Sequence, residues 1–243
     1  MNRLKNAQRA IREDRAGHFA STSSTYPQKM WISRRACFAV DPVVDAENKL
    51  LFGEALWRPY GNSLGTQVGR LISELRVAGQ LHELDHAMAA SVAAAVRDLP
   101  FPLSVNLSPS SVARLGSGIL LDLLLPVLDS VFVEITECCA RECYGDRNLR
   151  EFATTFQNAG GRLVLDDVGD GAFEDIAWAV SGKMGWVPSL LKTSIHHVSA
   201  VSTISDIPIV AEWVRTDEDR EKALANGATF LQGDFPRSLS FAE

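Results

Sequence analysis

The sequence has few cysteines and no long apolar segment. Four cysteines among 243 residues are too few for a fold that depends on disulfides. No uncharged apolar run reaches the roughly 18 residues of a transmembrane helix, because Asp122 and Pro126 interrupt the most apolar stretch, at 119–128. No apolar segment follows the N-terminal charges, so we expect no secretory signal. Together these absences indicate a cytoplasmic protein with reduced thiols.

Charge is unevenly distributed along a chain of otherwise ordinary composition. Hydrophobic residues make up 46% and charged residues 22%, which is typical of globular proteins and not of disordered ones. The net charge is −6, but residues 1–35 are strongly basic, so we interpret them as an N-terminal helix and linker. The remainder is acidic, which disfavours nucleic acid as a partner and suits a site that binds cations.

Short apolar segments alternate with segments of helical periodicity. Strands are predicted at 38–44, 50–56, 103–107, 131–135, 162–165, 190–192, 207–211 and 229–231, and helices at about 66–79, 82–98, 109–128, 147–159, 172–182 and 217–226. This alternation indicates an α/β fold with βα units and a mostly parallel sheet. The short polar turn at 45–49 predicts that the first two strands form an antiparallel hairpin.

Nearly every predicted strand ends in a polar residue. These residues are Glu54, Asn106, Glu134, the pair Asp166 and Asp167, Lys192, Glu212 and Gln232. In a closed parallel barrel, the carboxyl ends of all strands open on one face, where barrel enzymes carry their chemistry. The pattern therefore predicts a single TIM-type (β/α)8 barrel with these side chains around one pocket.

Several carboxylates in one pocket resist ionisation unless cations neutralise them. Oxygen ligands without cysteine or histidine favour Mg²⁺ or Mn²⁺. The adjacent Asp166 and Asp167 could serve two ions, an arrangement used for phosphodiester hydrolysis. The alternative for any one of these carboxylates is a helix cap or an ion pair.

Seven blocks of the sequence resemble, in order, the motifs of EAL-domain cyclic di-GMP phosphodiesterases. Residues 53–58 (GEALWR) are similar to the E-x-L-x-R signature of that family. The other blocks are SVNLSP at 104–109, VEITE at 133–137, LDDVGDG at 165–171, Lys192, VAE at 210–212 and LQG at 231–233. The resemblance covers residues 37–241 and defines an EAL-like barrel domain at 36–243.

The resemblance implies a modified barrel with an antiparallel first strand and a site for two divalent ions. One ion would be bound by Glu54, Asn106, Glu134 and Asp166, and the other by Asp166, Asp167 and Glu212. The catalytic residues would be Lys192, Glu54, Asp167, Glu212 and Gln232, which would hydrolyse cyclic di-GMP to linear pGpG. In that mechanism Lys192 orients the attacking water.

The resemblance also implies residues for the substrate and for the loop after the aspartate pair. Arg58 would hold a phosphate oxygen, next to Leu56 of the same motif, and Glu137 would stabilise the loop. Trp213 directly follows Glu212, so we predict that it stacks on guanine.

Some family features are altered. Asp41 replaces a glutamine, Arg215 replaces a glutamate, the aspartate loop 168–173 differs, and only 20 residues separate Lys192 from Glu212, which leaves room for no more than a short helix. In the family that helix and the aspartate loop contribute to a homodimer interface, which would be changed here. The alternative function is therefore a weak or inactive EAL-like protein that binds cyclic di-GMP or a regulatory protein partner.

Two further motifs compete with this interpretation. His82 and His86 match the H-E-x-x-H pattern of zinc proteases, although no third ligand motif follows. Cys138, Cys139 and Cys143 lack the paired C-x-x-C spacing that is typical of zinc sites, so we interpret them as reduced thiols.

Overall fold

The structure is a computed structural model that describes residues 37–58, 65–136, 146–169 and 183–234. The predicted basic N-terminal helix and linker at 1–35, the predicted helix at 172–182 and the three cysteines at 138–143 lie outside the described residues.

Eight strands of the described chain form a closed barrel in sequence order. They are β1 (Phe38–Val44), β2 (Leu50–Trp57), β3 (Leu103–Leu107), β4 (Val131–Ile135), β5 (Arg162–Leu165), β6 (Leu190–Ser194), β7 (Ile209–Glu212) and β8 (Phe230–Gln232). Strand β1 is antiparallel to both β2 and β8, and all other neighbours are parallel. The predicted barrel with an antiparallel first strand is confirmed.

The β1–β2 turn shows why the first strand reverses. The Asp45 carboxylate accepts hydrogen bonds from the backbone N–H groups of Glu47 at 3.0 Å and Lys49 at 2.8 Å. Asn48 adopts a left-handed conformation with φ 62°, which asparagine tolerates better than most residues. These polar residues close a tight hairpin, as the sequence predicted.

Seven α-helices lie in the described segments. They are α1 (Gly65–Val77), α2 (Leu81–Ala95), α3 (Pro109–Leu115), α4 (Ser117–Leu124), α5 (Arg147–Asn158), α6 (Val198–Ser202) and α7 (Asp217–Ala225), and a 3₁₀ helix spans Leu125–Ser130. The predicted single helix at 109–128 is wrong, because Gly116 has φ 79° and ψ 155° and ends α3. Only the five residues of α6 connect β6 to β7 as a helix, in agreement with the short helix expected there.

The barrel interior has two layers, an apolar one and a polar one. The apolar layer includes Phe52, Phe132, Val164, Leu190 and Val210, and the rings of Phe52 and Phe132 stack with centroids 4.4 Å apart. Because side chains two residues apart on a strand point the same way, the residues two positions further on also face inward. Those residues are Glu54, Glu134, Asp166, Lys192 and Glu212. The strand period therefore carries the polar residues into the barrel.

A larger apolar core joins the outer faces of the strands to the helices. It includes Leu103 and Leu107 on β3, and Phe152 and Phe156 on α5, all of them fully buried. Within the described residues, no single helix is long and apolar enough to cross a membrane; one sharply bent helical pair, Pro109–Leu115 with Ser117–Ser130, passes the same test of length and composition.

The close approach of Gly161 to Phe156 gives a test of this core. A Cβ added at Gly161 would lie 2.4 Å from the fully buried Phe156 ring, whereas one added at Gly69, inside α1, would meet nothing within 4 Å. We expect Gly161→Ala to lower the free energy of unfolding by about 1–3 kcal/mol, and Gly69→Ala to raise it by about 0.5–1 kcal/mol. Urea denaturation measures both changes, and equal effects of the two substitutions would contradict the packing described.

Candidate metal and catalytic site

The Lys192 ammonium lies at the centre of four carboxylates. Its Nζ is 2.7 Å from Glu134 Oε2, 2.9 Å from Glu54 Oε2, 3.0 Å from Asp166 Oδ1 and 3.3 Å from Glu212 Oε1. The lysine side chain is only 1% exposed. Burial opposes its charge, but the surrounding carboxylates raise the pKa of Lys192 well above its ordinary value. The surrounding carboxylates therefore favour the protonated form of the amine.

Two amide side chains orient Glu54. Asn106 Nδ2 donates to Glu54 Oε1 at 2.7 Å, and Gln232 Nε2 donates to Glu54 Oε2 at 2.6 Å. Burial alone would raise the pKa of Glu54, but Lys192 and these two hydrogen bonds lower it below its ordinary value. Glu54 is therefore held as a carboxylate with both oxygens in fixed positions.

The neighbouring carboxyl groups hold protons more strongly. Burial, followed by the charge of Glu54, raises the pKa of Glu134 well above its ordinary value. Burial also raises the pKa of Asp166 to about 6 and that of Glu212 to about 8, although Lys192 opposes both shifts. One ammonium is therefore insufficient to neutralise the cluster at neutral pH.

The cluster contains two groups of carboxylates that fit metal ions, and both include Asp166. The first group is Glu54, Glu134 and Asp166, and the second is Asp166, Asp167 and Glu212. Within each group, each residue has one carboxylate oxygen that lies within 4.8 Å of the corresponding oxygens of the other two. The buried Asn106 Oδ1 and Glu134 Oε1 accept no hydrogen bond from the described residues. Oxygen donors of this kind suit hard divalent cations, so the residues present fit the two predicted ligand sets.

Backbone contacts hold the aspartate pair between β4 and β6. The Asp166 N–H donates to Ile135 O at 3.0 Å, and the Val168 N–H donates to Lys192 O at 2.9 Å. Thr193 Oγ1 also donates to Val168 O at 2.5 Å. Asp167 adopts φ 54°, a left-handed conformation in which aspartate is enriched. The turn after β5 is therefore fixed on both sides.

A cavity of about 540 Å³ opens above the cluster. Its lining includes the predicted residues Leu56, Arg58 and Trp213 together with Glu54, Asn106, Asp166, Asp167, Glu212 and Gln232. Glu134 and Lys192 are almost completely buried and are absent from the cavity surface. The predicted loop residue Glu137 lies outside the described residues.

Asp85 is a buried residue of the cavity that the sequence analysis missed. It lies on α2, and its Oδ2 accepts a hydrogen bond from the Ser108 N–H at 2.8 Å, just before α3. Burial raises the pKa of Asp85 to about 6, although the bonds from Ser108 and Ser111 oppose this. Asp85 neighbours Leu84 on the buried face of α2. A carboxylate on the apolar face of a predicted helix is the sequence feature that could have identified it.

The histidines of the H-E-x-x-H pattern lie on α2, and neither of them lines the cavity. His82 and His86 belong to neither of the metal-ligand groups found among the described residues. The structure therefore gives the zinc-protease alternative no support in the part of the chain that it describes.

No protein-family model and no curated protein matches the sequence. Solved structures do match. One is Klebsiella pneumoniae BlrP1 in a complex with calcium and cyclic di-GMP, which is 24% identical in sequence and superposes with a TM-score of 0.63. The alignment covers 86% of this chain and 56% of the BlrP1 chain. The PaMucR phosphodiesterase in complex with cyclic di-GMP is 22% identical with a TM-score of 0.62, over 82% of this chain and 94% of that one.

A third is the Vibrio cholerae LapD structure that comprises an S helix, GGDEF and EAL, which is 16% identical in sequence and superposes with a TM-score of 0.68. The alignment covers 96% of this chain and 64% of the LapD chain. This chain thus spans only part of the BlrP1 and LapD chains. The fold is a (β/α)8 barrel. More specifically, it is an EAL-like barrel with a divergent sequence, as the sequence motifs predicted.

The raised pKa values predict how the metal-free protein responds to pH. Asp166 and Glu212 have higher pKa values folded than unfolded, so their contribution to stability is lost as pH rises through about 6 and about 8. We expect the free energy of unfolding in EDTA to fall between about pH 5 and pH 8.5, and saturating Mg²⁺ or Mn²⁺ to reduce that fall. Urea titrations at several pH values measure it; greater stability at high pH in EDTA would contradict this expectation.

Replacing the central cation tests the electrostatic argument directly. Lys192→Met leaves the carboxylates without an ammonium, so we expect the free energy of unfolding in EDTA to decrease by about 3–5 kcal/mol at neutral pH. Lys183→Met, at an exposed position, is the control and should change stability by less than about 0.5 kcal/mol. Similar stabilities for the two variants would show that the cluster does not depend on Lys192.

Proposed function

We propose that the chain is an EAL-type phosphodiesterase that hydrolyses cyclic di-GMP to linear pGpG with two divalent ions, Mg²⁺ or Mn²⁺. The observation that carries this proposal is the pair of carboxylate groups that share Asp166 at the floor of one cavity. A shared ligand brings two ions close together, which is the arrangement used for in-line displacement at phosphorus.

The proposed ligands divide between the two groups as the sequence resemblance implied. Glu54, Asn106, Glu134 and Asp166 hold one ion, and Asp166, Asp167 and Glu212 hold the other. When bound, the ions supply an activated water and stabilise negative charge on the phosphate oxygens. Asn106 Oδ1 is buried without a hydrogen bond from the described residues, which supports its role as a ligand.

The remaining residues position the reacting groups. Lys192 donates two hydrogen bonds, to Glu54 and Glu134, and the sequence resemblance assigns it the role of orienting the attacking water. Gln232 fixes Glu54 through its hydrogen bond. Arg58 lines the same cavity, where a planar guanidinium can bind phosphate oxygens. Leu56 lies on β2, the strand of Glu54, and lines the same cavity.

The structural neighbours support the choice of ligand. BlrP1 and PaMucR were both solved in complexes with cyclic di-GMP, and the BlrP1 complex also contained calcium. The cavity of this chain has a carboxylate-rich floor that suits divalent ions, and bound ions would in turn attract a phosphodiester.

A second candidate function is binding of cyclic di-GMP, or of a regulatory protein, with little or no turnover. The observation in its favour is that Lys192 Nζ lies within 3.3 Å of four of the proposed ligand residues, so the ammonium competes with the ions for the same oxygens. The short α6 and the exposed Arg215 also distinguish this chain from the family pattern, and α6 lies where the family has a helix that contributes to a homodimer.

The enzyme proposal is tested by incubating the purified chain with cyclic di-GMP and Mg²⁺ or Mn²⁺ and measuring pGpG by chromatography. We expect product with at least one ion, and EDTA should abolish it. Glu54→Ala should lower the rate at least about 100-fold, because it removes a proposed ligand. Glu151→Ala, on the exposed surface of α5, should retain the wild-type rate.

The same samples distinguish the two candidates. If calorimetry detects binding of cyclic di-GMP but neither ion yields pGpG, the enzyme proposal is wrong and the binding function stands. A product rate that Glu54→Ala leaves unchanged would show that the activity comes from a contaminant.

A further inference from the structure

Trp213 combines an exposed aromatic ring with an unfavourable backbone conformation. It directly follows Glu212 at the end of β7, and its side chain is 61% exposed. Its φ is 63°, in the left-handed region, where a bulky residue is a true outlier. Such an outlier is a reason to look for a function at that position.

The backbone around Trp213 is fixed by its neighbours. On one side, Glu212 O accepts a hydrogen bond from the Ile195 N–H at 3.1 Å, and on the other the Val214 N–H donates to Gln232 O at 3.1 Å. The Val214 side chain is fully buried. These contacts hold the backbone on both sides of residue 213, and glycine would adopt the left-handed conformation there most easily.

Core packing does not explain a tryptophan at this position, because most of the ring is in solvent. The ring does line the cavity, next to Glu212 of the proposed metal site and close to Arg215. The Arg215 guanidinium carbon is 5.8 Å from the centroid of the Trp213 ring. An exposed aromatic face with an adjacent guanidinium is a combination that proteins use to bind nucleobases.

We infer that Trp213 and Arg215 form a guanine-binding edge of the cavity. The Trp213 ring stacks on the base, and Arg215 donates to the O6 and N7 acceptors of guanine, which a guanidinium reads in bidentate fashion. Glu212, one residue before Trp213, places this edge beside the oxygens proposed to hold a divalent ion. The inference rests on the proposed function for its choice of a guanine dinucleotide, and it makes the Trp213–Arg215 pair the determinant of base specificity.

The test measures binding and thermal stability of the full chain in parallel. Binding of cyclic di-GMP, cyclic di-AMP and GMP is measured by calorimetry with Ca²⁺, and pGpG formation is followed in parallel samples that contain Mg²⁺ or Mn²⁺. We expect Trp213→Gly to weaken binding of both guanine ligands about tenfold or more, and Trp213→Phe to stay within about threefold of wild type. Arg215→Gln should reduce the preference for cyclic di-GMP over cyclic di-AMP about tenfold.

Stability separates a binding role of the ring from a structural one. Because glycine adopts the left-handed conformation without a Cβ clash, Trp213→Gly should keep or raise the melting temperature, by up to about 2–4 °C. Asn48→Gly is the matched control: residue 48 also has a positive φ but lies in the β1–β2 turn, so the substitution should not change binding.

Each outcome decides the inference. The inference is wrong if Trp213→Gly binds guanine ligands as the wild type does, or if its melting temperature falls markedly. Hydrolysis by the wild type would still support the proposed function in either case. Guanine binding that depends on Trp213, without hydrolysis, would support the inference and contradict the enzyme proposal. A wild-type chain that binds none of the guanine ligands would overturn both.

Discussion

The contact of one buried ammonium with four carboxylates is the interaction on which the rest of the site depends. Lys192 on β6 reaches groups on or next to β2, β4, β5 and β7, so it connects most of the barrel at its carboxyl end. Removing charges from water is costly, and their mutual attraction offsets this only when the geometry is good and further hydrogen bonds are present. The amides of Asn106 and Gln232 provide such bonds to Glu54.

The two layers of the barrel interior place this polar cluster directly on an apolar one. Phe52, Phe132 and Leu190 fill one level, and Glu54, Glu134 and Lys192 fill the next. The apolar layer excludes water below the charges, which strengthens their interaction and raises the pKa values of the carboxyl groups. The cavity opens above the polar layer, and ions or a phosphodiester would approach the cluster from there.

The sequence was sufficient to predict the strands and the residues at their ends, because the alternation of apolar segments and helical periods is local. The bounds of β1, β3, β4 and β5 are those predicted. It was not sufficient where the outcome depends on tertiary geometry. The break at Gly116 depends on one residue's backbone conformation, and the burial of Asp85 depends on how α2 packs on α3. That both amides donate to Glu54 also follows only from the closed barrel.

The charge of the cluster explains why an ammonium and divalent ions can belong to the same site. The two proposed ligand groups contain five carboxylates, the shared Asp166 among them, and the Lys192 ammonium contacts four of the five. When all five are ionised, the ammonium leaves four negative charges, which is the charge that two divalent ions neutralise. Without ions, protons take that role, as the raised pKa values of Glu134, Asp166 and Glu212 indicate. Because ligands must lose those protons before they bind a metal, metal binding at this cluster would exchange protons for divalent ions.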